Sequence, residues 1–256
     1  VVGGCDGALH LSSAERLATD GDSWVPITSM DEPRLGAAGA VLQGRLVVCG
    51  GQGFNGEVLA SVVALEPRSP PPSTSRSTSQ LRSTSPQADE LITRVTRRPQ
   101  SASARSPPPT AVGAAQSFLG RTGPGSLSFS WVKLPDMLMP RHGASAGSVS
   151  GRIIVCGGHG GMGPGTTMIL DSVETFDPTS RTWQALPQMR QRRVGAATAV
   201  LASRLLVLGG HNGVRSSSSA ERCGPMFCSV EGRDFFKGLP TMGTARYRAV
   251  AAVLRE

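Results

Sequence analysis

Three tryptophans set a frame that recurs along the chain. A glycine pair begins 26 residues after each: Trp24 leads to Gly50-Gly51, Trp131 to Gly157-Gly158 and Trp183 to Gly209-Gly210. The positions between agree without gaps. Six residues past each Trp stand Met30, Met137 and Met189; ten past stand Arg34, Arg141 and Arg193; twelve past stand Gly36, Gly143 and Gly195. Arg45, Arg152 and Arg204 then open the runs Leu46-Val47-Val48-Cys49, Ile153-Ile154-Val155-Cys156 and Leu205-Leu206-Val207-Leu208. Phe236 replaces the Trp in a fourth copy, with Met242 and Arg246 in frame, and Val1-Val2-Gly3-Gly4 matches the tail of an earlier one. Ser12 to Arg16 recurs as Ser218 to Arg222. A unit of 52 residues (131 to 183) or 53 (183 to 236) cannot bury its own apolar face, so it must stack against its neighbours.

The first interval, 24 to 131, is 107 residues, and subtracting about 55 restores the period. The excess lies in residues 67–130, which hold ten of the 19 prolines and eight Arg against only Asp89 and Glu90. This segment therefore carries +6 of the formal +8, and the remainder is close to neutral. Its Pro/Ser/Arg composition cannot bury enough apolar surface to offset ordering, so it reads as a disordered insertion in a surface loop. A retained non-coding stretch is the other reading of so abrupt a change. The basic balance is thus not a binding face. Arg without interleaved aromatics lacks the stacking platform of single-strand binders, so no specific nucleic acid is expected. The Ser-Pro pairs at 69–70, 85–86 and 106–107 are candidate phosphorylation sites that would neutralise the charge. No apolar run approaches a membrane span. Five cysteines, odd and sparse, argue against a disulfide framework, and Cys223 and Cys228 read as free thiols rather than a loop disulfide.

Each unit shows four short strand signals, in the third copy Ala146 to Val149, Arg152 to Cys156, Ser172 to Phe176 and Trp183 to Leu186. Ser150-Gly151, the Gly-rich 157–165 and Asp177-Pro178 separate them. Short strands with glycine and aromatic marks per unit indicate propeller blades. The glycine pair ends an apolar strand where a side chain would collide or φ must be positive. The Trp opens the outer strand and fills the space between blades. The repeat Arg reads as structural, pairing with a strand-three Glu such as Glu15 or Glu174. Cys49 and Cys156 share one strand position and read as small buried apolar residues.

With Gly157-Gly158, Val173-Glu174-Thr175-Phe176-Asp177-Pro178, Trp183, Leu186-Pro187 and Met189 in order, the chain resembles the kelch repeat family. Phe176 stands where the family has Tyr. The resemblance implies an all-β, kelch-type β-propeller of four-stranded antiparallel blades. About four blades are expected, partial at both ends, with Tyr247 to Leu254 supplying a first strand. The organisation expected is propeller at 1–66, insertion at 67–130 and propeller at 131–256, as part of a longer propeller rather than a closed four-bladed ring.

The resemblance also implies a non-enzymatic protein-interaction module that binds a partner through rim loops. The rim positions follow the glycine pair (Gln52, His159 and His211, with Cys5) or the repeat Arg (His142, Tyr247 and Arg248). They vary between copies while the frame stays constant, which suits recognition. Actin or a ubiquitin-ligase substrate are the kinds of partner implied, with a role as the substrate-recognition part of a ligase adaptor and a cytoplasmic location. No cofactor, catalytic residue or metal is assigned, since no CxxC or HxxxH spacing supports the histidines. The alternative is a propeller enzyme, isomerase, epimerase or oxidase-like, acting on a sugar or small metabolite. Its copper-oxidase form needs several Tyr ligands, and Tyr247 is the sole tyrosine.

Overall fold

The computed structural model describes residues 1–68, 128–160, 168–224 and 235–254. These belong to one unit, Val1–Ser69 with Leu127–Glu256; a second, Pro70–Ser126, lies outside the described residues. The expected disorder of 67–130 and its Ser-Pro pairs therefore fall almost wholly outside them, as does Cys228.

Every regular element among the described residues is a strand. β1 (Ala14–Leu17) and β2 (Trp24–Ile27) form an antiparallel pair. The first four-stranded sheet is β3 (Ala38–Leu42), β4 (Arg45–Cys49), β5 (Val62–Pro67) and β6 (Phe129–Leu134), in that order. The second is β7 (Ser145–Val149), β8 (Arg152–Cys156), β11 (Val173–Asp177) and β12 (Thr182–Leu186), with a small ribbon of β9 (His159–Gly160) and β10 (Met168–Ile169) beside it. The third is β13 (Ala197–Leu201), β14 (Arg204–Leu208), β15 (Ala220–Cys223) and β16 (Phe236–Leu239). All pairings are antiparallel, and the strands of the middle blade lie within a residue of the positions read from the sequence. First strands of neighbouring blades pack on one another, β3 on β7 and β7 on β13, so they are innermost.

Local chemistry explains each blade. Strands one and two close through two-residue turns whose central residues both have positive φ: Gln43-Gly44, Ser150-Gly151 and Ala202-Ser203. That is the geometry whose twist matches flanking strands. The third turn achieves it without glycine. The middle strands are buried on both faces, hence their continuous apolar runs. In β8 the alternation divides them: Ile153 and Val155 join the core shared with the first blade, while Ile154 and Cys156 join the core shared with the third. Burial pushes the Cys49 and Cys156 thiols up to about 12, as for small apolar core residues. Trp183 lies in the first of these cores beside Phe176, and its indole N–H donates to Pro135 O at 2.9 Å. Trp131 donates likewise to Thr28 O at 2.7 Å. Each Trp thus seals its blade onto the preceding one, whereas Trp24 is 54% exposed.

The glycine pair meets two demands at once. Gly157 has φ +63° and a Cβ there would overlap the Arg193 carbonyl; Gly158 has φ +96° and abuts Ala144. Gly158 N then donates to Arg193 O at 2.8 Å, tying the blade to the next.

The repeat Arg is a buried brace. Arg34, Arg141 and Arg193 are all at most 1% exposed. Arg141 donates to Gly157 O, Ser172 O and Ser172 Oγ, and its Nε and Nη2 grip Glu174 Oε1 at 3.0 and 2.7 Å. Arg193 repeats this with Gly209 O, Ser219 and Glu221. The expected Glu174 pairing is present. Glu15 is not paired this way, because each Arg serves strand three of the blade it opens, and Arg34 sits one blade beyond Glu15.

Two further expectations need correction. The pairing of β5 and β6 runs out to Pro67↔Phe129, so residues 67, 129 and 130 belong to the sheet, not to the insertion. The chain leaves at Arg68 and returns at Ser128, hydrogen-bonded to each other at 2.7 Å. Residues 247–254 form no strand, since among the described residues no second strand lies in register to satisfy their backbone.

Candidate functional site

The residue after each repeat Arg lies opposite the residue after the glycine pair of the same blade. Leu35 and Gln52 exchange backbone hydrogen bonds at 2.9 and 2.8 Å; His142 and His159 do so at 2.9 and 2.7 Å; Val194 and His211 at 3.0 and 2.9 Å. The two classes of rim position therefore form pairs on identical backbone bridges. Inside them runs a chain of amides from blade to blade. Gly143 N donates to Gly36 O, Gly195 N to Gly143 O and Arg248 N to Gly195 O, at 2.7 to 2.8 Å.

Arg248 occupies the frame position of those glycines and adopts their left-handed backbone, φ +55°. A non-glycine residue there carries strain of about 1–2 kcal/mol. Its guanidinium lies 5.1 Å from the Tyr247 ring centroid, and Tyr247 packs against His211 at 5.7 Å. The His142 and His159 rings meet edge-on at 5.6 Å. Burial, then the charges of His159, Arg248 and His10, hold the His142 pKa below its ordinary value. His142 Nδ1 is buried and without a hydrogen-bond partner among the described residues.

The structure thus groups His142 with His159, and His211 with Tyr247 and Arg248. Gln52 stands apart on the first blade, where its amide donates to Gly56 O and shapes its own loop. His211 likewise accepts Gly213 N. Leu35 and Val194 share the rim but were not singled out by residue type, although the frame places them one past the Arg. His10 was also missed; its Nδ1 meets Gly53 O at 2.8 Å from the adjoining loop. Apolar side chains crown these loops: Leu9, Phe54 and Val214 are exposed. Among the described residues no three His, Cys, Asp or Glu side chains are grouped to hold a metal, and no helix is long and apolar enough to cross a membrane.

Comparison with known proteins bears on the repeat and the fold. The kelch motif matches residues 140–190, from the Arg141 brace to just past Met189. An F-box/kelch-repeat protein of Arabidopsis thaliana is 32% identical over 83 residues, which is 32% of this chain and 21% of that protein. Human kelch domain-containing protein 8B is 37% identical over 84 residues, 32% of this chain and 23% of that protein. The matched stretch thus spans about a fifth of these curated relatives. The solved structure of YjhT aligns with a TM-score of 0.55 at 14% identity, covering 96% of this chain and 66% of that one, a likeness of fold alone. Antiparallel four-stranded blades, with a glycine pair and a buried Arg in each, and these matches together give the chain a kelch-type β-propeller fold that carries a kelch motif at residues 140–190.

Proposed function

We propose that the chain is a non-enzymatic protein-interaction module whose partner seats on the rim built by Gln52, His142, His159, His211, Tyr247 and Arg248. The observation that carries this is Arg248. Three repeats place glycine at its position, yet here a charged side chain is held in a strained backbone over Tyr247. Strain kept at an exposed site is a pointer to function rather than to stability. Variable rim pairs on one backbone bridge, beneath exposed Leu9, Phe54 and Val214, support the same reading. The kelch resemblance and relatives named F-box/kelch-repeat proteins support a finer version, substrate recognition within a ubiquitin ligase adaptor in the cytoplasm.

The test is crosslinking capture with the wild-type chain, a His159→Ala/His211→Ala variant and Arg248→Gly. Arg248→Gly relieves strain and is expected to stabilise the fold by about 0.5–1 kcal/mol while losing partners. Unchanged partners in both variants would sink the rim assignment. A stoichiometric metal in the purified protein would instead favour a propeller enzyme.

A further inference from the structure

Arg141 and Arg193 each meet a carboxylate from strand three of their own blade, whereas Arg34 does not. Register aligns Val62, Val173 and Ala220 opposite Cys49, Cys156 and Leu208, so the next residues, Val63, Glu174 and Glu221, are equivalent. The first complete blade therefore has valine where the others have glutamate. Arg34 keeps its bonds to Gly50 O, Ser61 O and Ser61 Oγ, and its Nη2 takes Glu32 Oε1 at 2.5 Å from the loop instead. Its Nε is buried with no hydrogen-bond partner among the described residues.

The missing carboxylate had a second task. Glu174 also accepts Leu138 N and Met139 N at 2.6 and 3.1 Å, and Glu221 accepts Arg190 N at 2.8 Å. The equivalent amides in the first blade are those of Asp31 and Glu32, and among the described residues neither has an acceptor. Arg34 Nε is thus left beside the place of an absent oxygen pair, with these two amides at the frame positions that bond it in the other blades. A cleft of about 330 Å³ opens there, lined by Asp31, Glu32, Arg34, Val63, Trp131 and Lys133 among others. That volume is at the small-ligand end of binding sites.

We infer that this cleft is a receptor for a carboxylate that none of the described residues supplies, held by Arg34 Nε and the Asp31 and Glu32 amides. The carboxylate belongs to a small organic acid or to an Asp or Glu side chain of a partner. The buried Arg34 Nε–H without an acceptor favours such an occupant, since an unmade bond to a charged group is costly. Desolvation already lowers the Arg34 pKa, against the opposing effect of Glu32. Local charge sets the limit on affinity. Glu32, Asp31 and Asp136 are close by, and Lys133 is committed to Asp136 at 3.4 Å. The Glu32 side chain is 38% exposed, so it can swing into water as the ligand enters. None of the rim residues lines this cleft, so the inference stands apart from the proposed rim function.

The experiment follows the Arg34 Nε–H resonance of the full chain, assigned by through-bond correlation, during titration with acetate and with a blocked Gly-Glu-Gly peptide. A saturable shift at millimolar ligand is expected. Glu32→Gln removes the competing charge and should tighten binding roughly fivefold, the effect of one like charge about 4 Å away in a water-like surrounding. Val63→Glu supplies the carboxylate internally, so the resonance should be displaced without ligand and stop responding. Tighter binding of the peptide than of acetate identifies a partner side chain; equal or tighter acetate identifies a small acid. If neither ligand moves the resonance saturably in wild type or Glu32→Gln, water is the acceptor and the inference is overturned. That outcome does not depend on Val63→Glu folding.

Discussion

Removing the carboxylate of Glu174 isolates the worth of the Arg brace. The side chain is 2% exposed and accepts four hydrogen bonds, from Leu138 N, Met139 N, Arg141 Nε and Arg141 Nη2. Breaking a buried ion pair by deleting one partner costs about 3–5 kcal/mol. The low end applies to Glu174→Ala. Arg141 keeps two carbonyls and a hydroxyl, and Leu138 is exposed enough for water to replace one lost acceptor. About 3 kcal/mol corresponds to roughly 6–12 °C in Tm for a domain of this size. Glu32→Ala is the internal comparison. Its carboxylate touches an equally buried guanidinium but is itself partly solvated, so water can take its place on Arg34 Nη2 and the loss should be smaller than for Glu174→Ala. Urea unfolding followed by tryptophan fluorescence measures both, with equal slopes required before the midpoints are compared. A Glu174→Ala loss no larger than that of Glu32→Ala would refute the reasoning. It would mean that carbonyl contacts alone hold the Arg and that the strand-three carboxylate is dispensable.

Two further outcomes follow from local geometry. Ser203 has φ +55° in a turn where both sister blades place glycine, so Ser203→Gly should raise stability by about 0.5–1 kcal/mol in the same urea assay, and a loss would contradict the turn assignment. His142 titrates below its ordinary value in the folded state because of burial and neighbouring positive charge. The unfolded chain therefore binds protons first as pH falls below about 6.5, and the stability present at neutral pH is lost through that window until the folded His142 also protonates. His142→Gln should flatten that part of the stability–pH curve, and an unchanged slope would assign it to other groups.

The periodic features were legible in the chain because they are local. Apolar runs, Gly-containing turns and the Trp that starts each outer strand depend on residues a few positions apart, so the strands of the described blades follow from spacing, apart from the one expected at 247–254. The positions after the repeat Arg and after the glycine pair were likewise visible as variable residues in a constant frame, though not the pairing of His142 with His159 and of Val194 with His211. That depends on the loop after the glycine pair folding back one residue past the Arg. Leu35 and Val194 were passed over because apolar side chains carry no chemical signal of a site.

What tertiary structure alone decided is where the buried charges end. An Arg ten residues after each Trp is apparent in sequence, but its partner lies 33 residues away for Arg141 and 28 for Arg193, on a strand positioned by sheet register. Only that register shows that Glu15 faces no repeat Arg, and that Val63 stands where Arg34 needs a carboxylate. It also shows Arg248 in a glycine's conformation, because a backbone dihedral is imposed by the amide chain running from Gly36 to Gly195, not by arginine's own preference. The sequence by itself determined the blades; packing determined which polar groups were left without partners.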